Sequence, residues 1–191
     1  YWGVRQLLSS RIYLVDQIFS DRLRVFENSE VKKLLGTFSQ QRGQALVDKI
    51  VASIDPSDLI IDQDVYIGPN HSLKNDIDIG DIDVLIIDIN KSILFSLESK
   101  SMSPSRNIKE MVEEIEKLFG SQSEMGWIDK HVRRHKWIED NIDKIGTKYK
   151  VDLSGFTIKS VFITNEDMLT PYLRKQTLPI PFITSYEIET D

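Results

Sequence analysis

Two apolar runs that carry acidic residues near their ends constrain this chain more than any other feature. The runs cover residues 80–88 and 93–100, and a short polar turn at residues 90–92 separates them. Runs of this length, rich in Val, Ile, Leu and Phe, are typical of neighbouring strands in a mostly buried hairpin. The sequence therefore predicts two core strands, with Asp83 near the start of the first and Glu98 near the end of the second.

The charged residues of this hairpin are predicted to converge. Strand side chains alternate between faces, so Glu98 and Lys100 share one side, as do Asp81 and Asp83. Carboxylates that are buried together repel unless they share a cation or a proton, which suggests a divalent metal site with oxygen ligands. The plainer alternative is a Glu98–Lys100 ion pair at a hydrated strand end, and the nearby Asp83 favours the metal site.

This arrangement resembles the PD-(D/E)xK nuclease superfamily. In that family an Asp opens a hydrophobic strand, as Asp83 does here, and the next apolar run ends in Glu-x-Lys, as Glu98-Ser99-Lys100 does. The resemblance implies an α/β protein with a restriction-endonuclease-like αβββαβ core, whose mixed central sheet is flanked by helices. An N-terminal helical extension is expected in addition.

The resemblance also implies roles for the hairpin residues. Asp83 and Glu98 would be catalytic metal ligands for Mg²⁺ or Mn²⁺, with the main-chain carbonyl of Ser99 as a further ligand. Lys100 would orient the attacking water or stabilise the developing charge, and it would act as a base only with a depressed pKa.

An upstream ligand is harder to assign. Many family members carry a Glu after an Arg-Gly or Lys-Gly pair, but after the pair at residues 42–43 the expected position holds Val47. Gln44 and Asp48 lie four residues apart beside the apolar stripe of the same predicted helix, so either could approach the site. Solvated helix positions are the alternative for both.

Apolar spacing and turn residues predict the remaining elements. They are one or two helices at 2–26, helices at 28–35 and 39–54, a strand at 59–67, helices at 108–119 and 126–145, a strand at 156–164 and an edge segment at 178–188. This order supplies the parts of the expected core. We expect residues 38–191 to form the nuclease-like domain and residues 1–37 to be a helical extension or linker from a larger protein, since the chain begins with Tyr1.

One predicted helix, at residues 126–145, contains the only dense basic cluster of the sequence. Basic side chains interleaved with aromatic rings are suited to contact phosphates and unstacked bases. The candidate nucleic-acid-binding residues are Lys130, His131, Arg133, Arg134, Lys136 and Trp137. The alternative places the tryptophans in the core and the basic side chains in water.

Net charge, the absence of cysteine and the length of the apolar runs exclude several kinds of site and partner. The net charge of −6 and pI near 5.2 argue against a surface broadly adapted to polyanions. The absence of cysteine excludes disulfides, zinc–thiolate sites and cysteine nucleophiles, and it fits a cytoplasmic location. No apolar run has the length of a membrane span, so no membrane association is expected.

The sequence thus predicts a metal-dependent nuclease domain that hydrolyses DNA rather than RNA, within a larger protein of restriction, defence or repair. Three alternatives stay open: a catalytically inactive module that binds nucleic acid or a partner, a nucleotidyltransferase that uses Asp81 and Asp83, and a generic α/β interaction domain. The nucleotidyltransferase pattern requires Gly or Ser after Gly68, where this chain has Pro69. Strand preference and a homodimer with two sites are also left open.

Overall fold

The fold is an α/β arrangement of five strands with helices on both faces of the sheet. A computed structural model describes residues 3–19, 29–173 and 178–190. The helices are α1 Val4–Phe19, α2 Ser29–Ala52, α3 Ile108–Phe119, α4 Trp127–Asp140, α5 Ile142–Tyr149 and α6 Thr170–Leu173. The strands are β1 Leu59–Ile67, β2 Gly80–Asp88, β3 Ile93–Lys100, β4 Thr157–Thr164 and β5 Phe182–Thr184, and a 3₁₀ turn follows at Glu187–Thr190.

The strands lie in the sheet in the order β1-β2-β3-β4-β5. The first three pair antiparallel, whereas β4 and β5 run parallel to β3. The parallel step from β3 to β4 needs a long crossover, and α3, α4 and α5 supply it. The predicted α/β class, the mixed sheet and the buried hairpin of β2 and β3 are therefore confirmed.

Separate apolar clusters hold the helices on the two faces of the sheet. One face packs on α4 and α5. The buried residues of this cluster come from the strands, the loop before β2, the two helices and the segment after α5: Val65, Ile67, Leu73, Ile82, Leu85, Ile87, Leu94, Trp137, Ile138, Ile145 and Leu153. The other face packs on α2 through Leu46, Val47, Ile50, Val84, Ile86, Leu97 and Ile163. Because β2 and β3 contribute to both clusters, they form the centre of the structure.

The predicted break between helices 28–35 and 39–54 is wrong, since α2 is continuous from Ser29 to Ala52. Gly36 lies inside this helix, and a side chain at that position would meet no atom within 4 Å. One glycine costs a helix only about 1 kcal/mol relative to alanine, which a helix of 24 residues tolerates. The expected division at residue 37 thus falls within α2, and the division itself stays a prediction.

Two other elements differ from the sequence analysis. The helix predicted at 126–145 is two helices, because Asn141 departs from helical geometry and its side-chain amide donates to the Trp137 carbonyl at 2.9 Å. The edge segment predicted at 178–188 contains only the short strand β5. Residues 2, 20–26 and 28 of the predicted N-terminal helices lie outside the described residues.

No helix in the described part of the chain is both long and apolar enough to cross a membrane.

The connection between α3 and α4 depends on a close backbone approach at Gly126. A β-carbon there would lie 2.4 Å from the Gly120 nitrogen and 2.5 Å from the Leu118 carbonyl oxygen. Both contacts are with backbone, which cannot move aside as a side chain can. Gly126 therefore fixes where α4 begins on the sheet.

We predict that Gly126→Ala lowers the free energy of unfolding by about 3 kcal/mol, because the added methyl group forces α3 and α4 apart. Gly36→Ala is the matched control, and it should raise stability by about 1 kcal/mol in a continuous α2. Urea unfolding followed by circular dichroism measures both values. Equal effects of the two substitutions would contradict the close approach.

Candidate active site

The sheet forks between β2 and β3. The two strands pair from Asp88 and Ile93 as far as Val84 and Leu97. Beyond that point β2 continues along β1 to Gly80, whereas β3 continues along β4 to Lys100. The apolar clusters hold each strand to its outer neighbour, so the gap opens where the predicted site residues lie.

The carboxylate of Asp83 bridges this fork. Its Oδ2 atom accepts hydrogen bonds from the Ser99 main-chain nitrogen at 2.6 Å and the Ser99 hydroxyl at 3.1 Å. Regular alternation along β2 is broken here, since Ile82 and Val84 pack in the clusters on opposite faces of the sheet. The side chain of Asp83 thus replaces a missing ladder bond between the strands.

Three oxygen atoms converge on the ammonium group of Lys100. Its Nζ atom lies 2.7 Å from Glu98 Oε1, 3.3 Å from Asp83 Oδ2 and 3.0 Å from the Ser99 carbonyl oxygen. We call these three atoms the three-oxygen site. An ammonium has three N–H donors, and each has one acceptor here.

The other oxygen of Glu98 faces α4. Glu98 Oε2 accepts a hydrogen bond from the Arg134 guanidinium, and both side chains are almost completely buried. Position 80 favours glycine, because its φ is +90° and a β-carbon there would also lie 3.3 Å from Arg134 Nη1. Glu98 therefore binds one cation through each of its two oxygens.

The pKa shifts explain why Glu98 needs both cations. Burial raises the pKa of the Glu98 carboxyl, and Lys100 and Arg134 oppose this effect. Burial alone would lower the pKa of Lys100, but the charges of Glu98 and Asp83 outweigh it and the pKa lies above its ordinary value. Lys100 is thus an ammonium in this structure, in the form that stabilises charge and not in the form that accepts a proton.

His131 lies beside Glu98 but carries no positive charge that could pair with it. Its Nδ1 atom is 3.8 Å from Glu98 Oε2, and its side chain is fully buried. Burial, together with the positive charge of Arg134, lowers the pKa of His131 to about 3. The histidine is neutral at neutral pH, and Lys100 and Arg134 provide the positive charge around Glu98.

The structure places the basic residues of α4 in two groups. His131, Arg134 and Trp137 share one face, as their spacing predicts, but that face is buried against the sheet. In this arrangement Glu98 binds Arg134 and the Trp137 indole donates to Asn75 at 3.1 Å, so a contact with nucleic acid would require these side chains to leave their partners, and it stays a prediction.

The other members of the predicted nucleic-acid surface lie on the outer side of α4. Arg133 and Lys136 are exposed, and the half-exposed Lys130 lies 3.5 Å from Glu124. Their contact with nucleic acid stays a prediction.

Neither candidate for the upstream ligand contacts the three-oxygen site in the described structure. Gln44 and Asp48 are both exposed on α2, and the Gln44 amide donates to Asp48 at 3.0 Å and to Gln63 at 3.4 Å. A role as ligand would require both side chains to change partners.

Two charged residues beside the site, Arg134 and Asp64, were not predicted to lie there. Arg134 was assigned to nucleic acid, although it binds Glu98. Asp64 was not singled out, but it lies opposite Asp83 where the β1–β2 register skips a pair, and its φ is +51°. Burial and then the charges of Asp81 and Asp83 raise the pKa of Asp64. The break in the apolar run of β1 at residues 62–64 was the available signal.

A divalent cation fits the three-oxygen site in the chemistry of its donors. Two carboxylates and a main-chain carbonyl are hard oxygen ligands of the kind that Mg²⁺ and Mn²⁺ prefer, and they already surround one positive charge. In the described residues no three side chains of His, Asp or Glu are grouped as a metal site. A metal would therefore rely on the Ser99 carbonyl and on displacement of Lys100.

Comparisons of the chain with protein-family models, curated proteins and solved structures find no match.

We predict that Arg134→Met lowers the free energy of unfolding by about 3 kcal/mol, because it leaves a buried carboxylate with one cation fewer. Arg133→Met, one residue away and exposed, should change stability by less than about 0.5 kcal/mol. Denaturant unfolding of each protein measures the difference.

The pairing can be isolated in a second background. In a Glu98→Gln protein, which has no carboxylate to compensate, Arg134→Met should cost less than it does in the wild type. An equal cost in both backgrounds would show that Arg134 contributes through packing and not through Glu98.

Proposed function

We propose that this chain is a metal-dependent nuclease domain that hydrolyses phosphodiester bonds, DNA more readily than RNA. The observation that carries the proposal is the convergence of Asp83, Glu98 and the Ser99 carbonyl on one cation at the fork of the sheet. These are the residues that the resemblance to the PD-(D/E)xK superfamily marks as ligands. Lys100, the remaining residue of the motif, lies among them.

The order of elements also supports a restriction-endonuclease-like fold. Helix α2 precedes the three antiparallel strands β1, β2 and β3, and the helices α3 to α5 lead to β4, which runs parallel to β3. This is the αβββαβ order that the resemblance implies. The proposed site lies near the ends of the two central strands, where their pairing stops.

The chain's own residues have distinct roles in the proposed reaction. Asp83, Glu98 and the Ser99 carbonyl would hold Mg²⁺ or Mn²⁺. When bound, the metal neutralises phosphoryl oxygens and makes a coordinated water more acidic. Arg134 opposes the rise in the pKa of Glu98 and orients its carboxylate, and is a positioning residue. Lys100, displaced from the three oxygens, would offer its N–H donors to the phosphate.

We predict that the protein cleaves plasmid and single-stranded DNA only when a divalent metal is present. Asp83→Asn and Lys100→Met should each lower the cleavage rate by at least about 100-fold. Lys91→Met is the matched control, since Lys91 lies in the β2–β3 turn with its side chain 76% exposed, and it should cleave at the wild-type rate. Cleavage is measured with Mg²⁺, with Mn²⁺ and with EDTA, and an RNA of the same sequence tests the preference for DNA.

Metal binding separates the roles of the two residues. Lys100→Met removes the ammonium that competes for the three oxygens, so Mn²⁺ affinity measured by titration calorimetry should be retained or increased. Asp83→Asn removes a ligand charge and should weaken it. Wild-type cleavage by a folded Lys100→Met protein would reject the assignment.

A catalytically inactive module that binds nucleic acid or a partner is the second candidate. It is favoured by the fact that Lys100 already satisfies all three oxygens, so the site is stable as it stands. Tight DNA binding without cleavage under any metal condition would support it. The nucleotidyltransferase alternative explains neither Glu98 nor Lys100, and we do not pursue it.

A further inference from the structure

A polar cavity is lined by the chain segment that directly follows Lys100 of the proposed active site. Its volume is about 370 Å³, and it lies between α3, the chain segment that follows Lys100, and the side of α2. Ser101 and Met102 are its nearest lining residues along the chain, and Trp127 contributes an aromatic ring. Ligand pockets in proteins begin at about this size.

One buried side chain of this cavity has an unused acceptor. Glu114 is 5% exposed, and its Oε2 atom accepts a hydrogen bond from the Ser105 hydroxyl. Its Oε1 atom is buried and has no donor among the described residues. Leaving a carboxylate oxygen unsatisfied is costly, which indicates a ligand or solvent that donates to it.

Besides Glu114, the charged residues of the cavity wall are four basic ones, Arg42, Arg106, Lys109 and Lys117, and two acidic ones, Glu110 and Glu113. Lys109 and Lys117 lie on the same helix, α3, and both are exposed and form no ion pair with another described residue. Arg106 also lines the cavity, but it is bound to Glu110 at 3.1 Å. The occupant therefore needs an anionic group for the lysines as well as an N–H donor for Glu114.

A metal ion does not meet these requirements. The described residues contain no group of three His, Asp or Glu side chains suited to hold one, and the lysines would repel it. A nucleotide has the required combination, since its phosphate is anionic and its base has N–H donors. Its flat ring can also stack on an aromatic side chain such as Trp127.

We propose that this cavity binds one nucleotide, and that Glu114 recognises the N–H donors of a guanine base. Guanine presents a ring N–H and an exocyclic amino group side by side, and the unused Oε1 atom of Glu114 has two lone pairs that can accept from them. The inference rests on the proposed function in one respect, because it takes the bound nucleotide to be a neighbour of the bond cleaved beside Lys100. Glu114 is then a specificity-determining residue.

The test is titration calorimetry of the full chain with mononucleotides in EDTA, so that no metal-dependent step contributes. Deoxyguanosine monophosphate should bind roughly tenfold more tightly than deoxyinosine monophosphate, which lacks the exocyclic amino group. Glu114→Gln should remove this preference, because the amide no longer presents a charged acceptor. Glu116→Gln, an exposed position on the same helix, is the matched control and should keep it.

A second variant keeps the test decisive if Glu114→Gln does not fold. Lys109→Gln combined with Lys117→Gln changes exposed side chains only, and it should remove the preference for deoxyguanosine monophosphate over deoxyguanosine. No binding of any nucleotide would mean that water alone satisfies Glu114 and would overturn the inference. Equal binding of the guanine and hypoxanthine nucleotides would overturn it as well.

The outcome is separable from that of the proposed function. Selective guanine binding in a protein that never cleaves DNA would uphold the cavity and reject the nuclease. Metal-dependent cleavage by a protein that binds no mononucleotide would uphold the nuclease and reject the cavity.

Discussion

The attraction between one ammonium group and three oxygens at the fork of the sheet is the interaction on which this structure depends. Two carboxylates and a carbonyl would repel one another in the space between β2 and β3 if no positive charge lay among them. Lys100 supplies that charge from the strand that also carries Glu98 and Ser99. The same convergence makes the site suited to a divalent cation.

The apolar core explains why the fork exists and why it is polar. Buried Val, Ile and Leu side chains on both faces fix β2 and β3 between two layers of helices. Where pairing between these strands ends, backbone groups need other partners. Asp83 accepts from the Ser99 backbone, and Arg134 reaches Glu98 from α4. The charged side chains that stabilise the fork are therefore the same ones that would act in the proposed reaction.

Local sequence patterns predicted much of this arrangement. The two apolar runs predicted the hairpin, helix α3 was predicted with its observed bounds at 108–119, and period-two alternation along β3 brought Glu98 and Lys100 together. These features are determined by residues that lie close together in the sequence. The predicted break at Gly36 is wrong because one glycine costs too little to interrupt a helix as long as α2.

The features that were missed depend on tertiary packing. Arg134 lies 36 residues from Glu98, so no local pattern identifies that carboxylate as its partner. Asp64 faces the fork because the register of β1 and β2 skips a pair at that level. The cavity beside Glu114 forms only once α3 packs against the segment after β3, so no local pattern marks it.

The central claim is that the three-oxygen site is a divalent cation site that Lys100 fills when no metal is bound. A crystal structure of the wild-type protein grown with Mn²⁺, with anomalous diffraction at the manganese edge, tests this claim most directly. We predict an anomalous peak within about 2.3 Å of Asp83, Glu98 and the Ser99 carbonyl, with the Lys100 ammonium displaced. A structure that keeps the ammonium among the three oxygens at saturating Mn²⁺ would contradict it.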